Sequence, residues 1–323
     1  MGDRIVQALI VVIGVPAVLV GYIAFIEWLL RIVPERARPR VRPWLWIGPA
    51  LLFLFIFLVY PTVYTFILSL QNKNSTAFVG LDNYLYVFTN HDTLIALRNN
   101  VLWVILFPLF TVTLGLLLAV LTDRVPYEAA AKALIFLPMA ISFVAAGVIW
   151  KFMYDYRPPS QPQTGTLNAV VTTLGGSPQA WLISRGINNE ALIFVAVWMT
   201  TGFAMVILSA ALKGIPAELL EAARVDGATE LQVFRHIMFP LLGPTIAVVG
   251  TTVIISALKA FDIVYIMTNG AFDTDVIANQ MYKQLFNDNN FGRASAIAVV
   301  LLAAIIPIMI INVRRFREQE ARR

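Results

Sequence analysis

The 323 residues are 59% hydrophobic and 13% charged, against about 45–50% and about 25% in an ordinary soluble domain, and mean hydropathy is +0.76. This excludes a water-soluble globule, because too few polar groups are left to cover a surface. The absence of cysteine excludes disulfide frameworks and thiolate chemistry, and a net charge of +5 implies nucleic acid only if the basic residues form a patch.

Seven stretches are apolar enough, at about 20 residues, to cross a bilayer as helices. They run from Ile5 to Leu30, Trp44 to Leu70, Asn99 to Thr122, Ala133 to Trp150, Ala191 to Leu212, Ile237 to Leu258 and Ala294 to Val313. Only the first holds a charge, Glu27, and Arg31 four residues on offers it an interfacial partner. That first stretch is too long for a signal peptide and is read as a retained helix. An all-α, polytopic helix bundle is therefore expected. Placing the connection Arg31 to Arg42 in the cytoplasm puts fifteen of the 24 Lys and Arg inside, including Arg124, Lys132, Lys213, Arg224, Arg235 and the tail from Arg314. The basic residues thus follow the membrane rule rather than a nucleic-acid footprint, with the N-terminus outside and the C-terminus inside. Three long external connections follow: Gln71 to Arg98, Met153 to Glu190 and Phe261 to Arg293. The turn residues Pro158-Pro159, Pro162 and Gly175 to Pro178 mark the middle one as an ordered loop.

The cytoplasmic loop from Lys213 to His236 reads helix, break, helix. Pro216 suits a first helical position, Ala217 to Asp226 are mostly good helix formers, and Gly227 ends the run. Thr229 and Gln232 have capping-box spacing for a second helix toward Pro240. The first helix is amphipathic, but its neighbourhood carries Glu218, Glu221, Asp226 and Glu230, which oppose an anionic lipid surface. Docking on another protein, or packing on its own spans, remains.

Glu221-Ala222-Ala223, three residues, Gly227, nine residues, Ile237, one residue, Phe239 and Pro240 resemble the EAA loop of binding-protein-dependent ABC importer permeases. Phe239 stands where that family usually has leucine. Gly214-Ile215-Pro216, Asp226-Gly227-Ala228, Phe261 to Tyr265 and Gly80 to Tyr84 extend the likeness to maltose-type carbohydrate permeases from about residue 42 to the end, and the phrases 151–159 and 205–211 look most like α-glucoside permeases. Residues 1–41 are then an extra transmembrane helix with a basic connection, and 42–323 the permease domain of the type I importer fold. The resemblance implies that Glu221, Ala222, Ala223, Asp226, Gly227, Ile237 and Pro240 form the coupling loop for a dimeric ATP-binding subunit. It further implies a second permease subunit, an extracytoplasmic sugar-binding protein, a carbohydrate cargo and a bacterial inner-membrane location.

The chain has no phosphate-binding loop and no hydrolase or metalloprotease motif, so ATP and Mg belong to the partner subunit and the chain is not an enzyme. An ion-coupled carrier or channel is the alternative, but its pathways are marked by charges inside spans; Lys259 and Asp262 near the outer end of the sixth are the nearest candidates, as a local ion pair. Sugars are held by aromatic faces and hydroxyl groups. The fifth span offers Trp198, Met199, Thr200 and Phe203, and the sixth Thr252, Ser256 and Lys259. By resemblance, Met199, Thr200 and Phe203 fall where the family contacts sugar, whereas Val253, Ala257 and Ala260 replace polar contacts.

The topology is tested by reporter fusions. Fusions after Asn74 are expected to be active outside the membrane and fusions after Arg38 inside; the reverse pattern rejects the orientation.

Overall fold

The computed structural model describes residues 2–123 and 125–320. Arg124, Arg322 and Arg323 of the charge count lie outside the described residues. The only β pairing among the described residues is an isolated bridge between Gln71 and Phe78. The chain divides into two compact units, Met1–Thr65 and Phe66–Arg323.

The first unit holds α1 (Gly2–Ile32) and most of α2 (Arg38–Ser69). Tyr22 Oη donates to the Leu45 carbonyl at 2.6 Å across the turn. Glu27 does not pair with Arg31 as its spacing suggests: it meets Arg42 at 2.7 Å. The tight turn after α1 delivers the Arg42 guanidinium from the next helix, a contact that spacing along one helix cannot reveal. Both partners are about half exposed, so the pair contributes little to stability.

The second unit begins within α2 and continues through α3 (Asp82–Thr89) and α4 (His91–Thr122). A bent pair follows, α5 (Glu128–Ala140) and α6 (Phe143–Met153), then α7 (Thr166–Thr173) and α8 (Asn188–Lys213). The rest is α9 (Ala217–Val225), α10 (Glu230–Leu258), α11 (Asp262–Met267), α12 (Ile277–Tyr282) and α13 (Phe291–Glu320). Among the described residues six helices are long and apolar enough to cross a membrane, or up to 7 if the bent pair is one span.

That pair corrects the straight span expected from Ala133 to Trp150. Its helices meet at 98°, because Ile141 and Ser142 adopt extended backbone and the Ser142 hydroxyl caps α6 by accepting from Ala145 N at 3.1 Å. Elsewhere helices outrun the apolar stretches. Asn90 caps α4 through its side chain, accepting from Thr93 N at 3.1 Å, and α10 absorbs the second arm of the loop after α8. The π-helical turns Phe55–Val59 and Phe234–Met238 each end two residues before a proline, Pro61 and Pro240. Widening there accommodates a ring that lacks an N–H and crowds the preceding turn.

Helix α8 is the centre of this unit: 67% of its most apolar stretch is buried, against 0% for α2. It runs parallel to α4, with Asn99 facing Asn189, Thr111 facing Thr200 and Gly115 against Ala204. A Cβ on Gly115 would stand 2.6 Å from that of Ala204, and one on Gly202 would stand 2.6 Å from the Ile135 carbonyl. Small residues thus let α4 and α5 reach α8, the usual device where no hydrophobic effect drives helices together. Trp103, Phe107, Trp150, Val195, Met199 and Ile263 fill one core, and Leu116, Met205, Leu208 and Leu242 another. The loop after α6 is ordered as expected: Asn168 binds the carbonyls of Asp155 and Gln179 at 2.9 and 3.0 Å, and accepts from Gln179 N and Trp181 Nε1.

Gly115→Val is expected to cost about 1–3 kcal/mol through overpacking, seen as a lower thermal midpoint in detergent. Gly250→Val, where a Cβ meets nothing within 4 Å, is expected to leave the midpoint nearly unchanged.

Candidate functional site

The loop after α8 is built as two arms around Gly227. Pro216 occupies the N-cap of α9 rather than its first turn. At the other end Gly227 has φ +85, with Gly227 N bonded to the Arg224 carbonyl at 3.0 Å and Ala228 N to that of Ala223 at 3.0 Å. This is the left-handed helix stop for which glycine is preferred. Thr229 and Gln232 form the expected capping box. Arg224 Nε meets Glu230 at 2.8 Å, pinning the arms together, and that carboxylate raises the guanidinium's pKa above its ordinary value.

No residue of α9 is buried. Glu221 and Ala222 are exposed and Ala223 is half-buried; Val225 is 86% and Leu231 74% exposed. Asp226, Gly227 and Ile237 border a shallow recess with His236, while Pro240 lies on the exposed side of α10. The first arm is therefore largely open, whereas Val233 of the second is buried and Ile215 and Phe234 pack against the core of Leu116, Met205, Leu208 and Leu242. Behind the loop, Lys213 in the last turn of α8 meets Glu128 of α5 at 2.6 Å, and Lys132 bonds to both Glu128 and Ser209.

A cavity of about 530 Å³ lies between α4, the bend of α5 and α6, α8 and α10. Five of the residues singled out from the sequence line it: Met199, Thr200, Phe203, Thr252 and Ser256. Lys259 lines an adjoining cavity of about 370 Å³ with Trp103 and Phe261, and the two share Phe107, Phe143, Ser256 and Asp262. Among the described residues no ion pair joins Lys259 to Asp262, contrary to the local pair expected, and both residues are exposed. Trp198 lines neither cavity; its ring stands edge-on to Trp150 at 5.5 Å. Val253 lines the larger space and Ala260 the smaller, whereas Ala257 is fully buried.

The hydroxyl groups here already donate to their own helices, Thr200 to Ala196 at 2.7 Å, Thr252 to Val248 at 3.0 Å and Ser256 to Thr252 at 3.1 Å. Their oxygens can still accept from a solute. Sequence reasoning missed Phe107, Met139, Ile141, Ser142, Phe143 and Val144. The signal was present as Pro138 followed by Ser142, a breaker ahead of a capping residue inside an apolar run.

A bundle of membrane-crossing helices with a broken helix at an internal cavity, and an exposed helix-glycine-helix loop at one end, defines a membrane transport subunit. The family described as "Binding-protein-dependent transport system inner membrane component" matches residues 111–316, and the chain belongs to it. It is thus a multi-pass inner-membrane permease component and not an enzyme; the ion-coupled alternative gives way to this assignment. The chain is 55% identical over 276 residues to the osmoprotective compounds uptake permease protein GgtC of Synechocystis sp., covering 85% of this chain and 99% of that one. It is 50% identical over 275 residues to the alpha-glucoside transport system permease protein AglF of Rhizobium meliloti, covering 85% and 82%. The fold matches a chain of a bacterial ABC transporter that imports the acidic polysaccharide alginate, with TM-score 0.74, 23% identity and coverage of 87% and 98%.

If the larger cavity holds the transported solute, Phe203→Ala removes an aromatic wall and is expected to raise the KM of uptake roughly three- to tenfold, the scale of one aromatic contact. Trp198→Phe is expected to leave KM within about twofold. Equal effects would show that the cavity is not the site.

Proposed function

We propose that the chain is the membrane-spanning permease of an ATP-driven importer for a neutral glycoside, α-glucosides first, with α9 as the helix that docks on a separate ATP-binding subunit. The observation that carries this is the cavity at the broken helix. At about 530 Å³ it falls within the ~300–1,000 Å³ of small-molecule sites, and its walls pair aromatic faces with hydroxyl groups. The 50% identity to a relative named for alpha-glucoside transport supports the solute class. The 55% identity to a relative named for osmoprotective compounds supports a small neutral osmolyte as the second reading.

The coupling side follows from exposure and charge. A docked α9 presents Glu221 to a basic group of the ATPase, with Ala222 and Ala223 allowing close approach. Asp226 and Gly227 set the break, and Ile237 and Pro240 carry the second arm into α10. When two nucleotide-bound ATPase subunits close, a docked loop moves with them. The Lys213–Glu128 contact then links the loop's anchor to α5, whose far end walls the cavity. This is a two-state element biased from another site, as coupling requires. ATP and Mg are held by the partner. One coupling loop per chain requires a second permease, a paralogue in a pseudo-symmetric pair, and an extracytoplasmic binding protein completes the complex. The N-terminus is outside and the C-terminus inside. Residues 1–41 precede the permease domain, 42–323.

Uptake with the cognate binding protein is expected for maltose, sucrose or trehalose, and transport of an ionic solute with failure of all three overturns the substrate class. Glu221→Lys is expected to abolish ATPase stimulation or co-purification of the ATP-binding subunit, since a like charge at such an interface costs several kcal/mol. Gly227→Val, forced to positive φ at a cost of about 1–3 kcal/mol, is expected to uncouple while membrane insertion persists. Normal stimulation in both variants removes the docking role.

A further inference from the structure

The two cavities beside the break between α10 and α11 share a wall formed by Phe107, Phe143, Ser256 and Asp262, yet they differ in chemistry. The larger is lined by hydroxyl groups and apolar side chains, with Asp262 its one ionisable residue; the smaller adds Lys259 beside Trp103 and Phe261. Among the described residues, no other ionisable side chain lines either cavity. Both are exposed, and neither side chain has a hydrogen-bond or ion-pair partner among the described residues. Unpaired charges at the end of an apolar span are costly to keep, and they are a mark of solute pathways.

The break itself makes the two charges tolerable. Lys259 closes α10, where the last carbonyls favour a cation, and Asp262 stands in the first turn of α11, where N–H groups favour an anion. Each is thus supported by backbone rather than by the other, and both stay free to meet a solute. Opposite in sign and three residues apart, they sum to zero. A solute with a net charge is attracted by one and repelled by the other. A hydroxyl group can satisfy either, because its O–H donates to a carboxylate and its oxygen accepts from an ammonium. Two adjacent hydroxyl groups can therefore engage both at once. The rings of Trp103, Phe107, Phe143 and Phe261 line the same cavity, and aromatic faces suit the apolar C–H surface that a sugar carries between its hydroxyl groups.

We propose that Lys259 and Asp262 set the solute specificity of this chain, clamping two adjacent hydroxyl groups of a neutral glycoside in the smaller cavity while its other unit lies in the larger. This deepens the importer reading above and rests on it. The test uses the full transporter in proteoliposomes and whichever of maltose, sucrose and trehalose it carries. Import of that sugar is compared with import of its monodeoxy analogues, each at a concentration that saturates the cognate binding protein. Loaded binding protein is kept limiting, so that the differences left belong to the membrane subunits. In the native protein, loss of either clamped hydroxyl is expected to slow import roughly tenfold or more, the scale of a hydrogen bond to a charged group. Asp262→Asn and Lys259→Met are expected to slow import of the parent sugar by a similar factor, and each to erase the penalty for the analogue that lacks its own hydroxyl. Asp262→Glu, which keeps the charge, is expected to retain part of that penalty. Equal import of all analogues by the native protein overturns the proposal without any variant. So does slower import in the variants with every analogue penalty intact, which marks a structural role. Import of glycine betaine that both variants lose also overturns it, by assigning the two charges to a zwitterion. If none of the three sugars is carried while an ionic solute is, the substrate reading falls and this proposal with it; if one is carried and neither variant alters its import, this proposal alone falls.

Discussion

Every backbone N–H and C=O that enters hydrocarbon must be bonded within the chain, since no water is available there to replace a lost partner. That constraint makes this molecule helical, and it makes the interruptions informative. Two breaks occur where helices would otherwise run on: Ile141–Ser142 between α5 and α6, and Lys259–Phe261 between α10 and α11. Both line the adjoining cavities. Irregular backbone at such depth is tolerated where it is enclosed by protein or faces a polar space, so the two places where the helical rule fails are the places where a solute can be held.

The remaining architecture serves to hold those breaks in position. Gly115 and Gly202 bring α4 and α5 against α8 at distances no larger residue permits. At one end Asn99 bonds to the carbonyls of Asp273 and Asp275 at 2.7 and 2.8 Å, and Asn100 accepts from Ile277 N at 2.8 Å. These buried amides fasten the loop after α11 to the start of α4. At the opposite end the fastening is ionic, through Glu128, Lys132 and Lys213. Amides satisfy backbone groups that cannot be left unpaired, whereas partly solvated ion pairs are weaker and easier to exchange. The loop around Gly227 hangs from the ionic end.

Much was legible in the sequence because membrane helices and turn chemistry are local. Apolar runs of about 20 residues located the spans, Gly227 declared a left-handed stop, and Thr229 with Gln232 declared a cap. The resemblance of the loop around Gly227 placed the chain in its family from one segment. Five cavity residues were also anticipated, Thr252 and Ser256 as hydroxyl groups on an otherwise aliphatic span, and Met199, Thr200 and Phe203 through the resemblance as well.

What the sequence by itself determined is therefore the membrane class, the approximate spans and the form of the loop around Gly227, all set by hydropathy and by backbone preferences within a few residues. Only the tertiary structure decided that Ala133 to Trp150 bends by 98°, that Glu27 pairs with Arg42, and that Trp198 turns to Trp150 while Phe107 and Phe143 face the cavity. The physical reason is that these outcomes depend on which helix faces which, and a helix that is apolar all round carries no sequence mark of the side that meets protein rather than lipid.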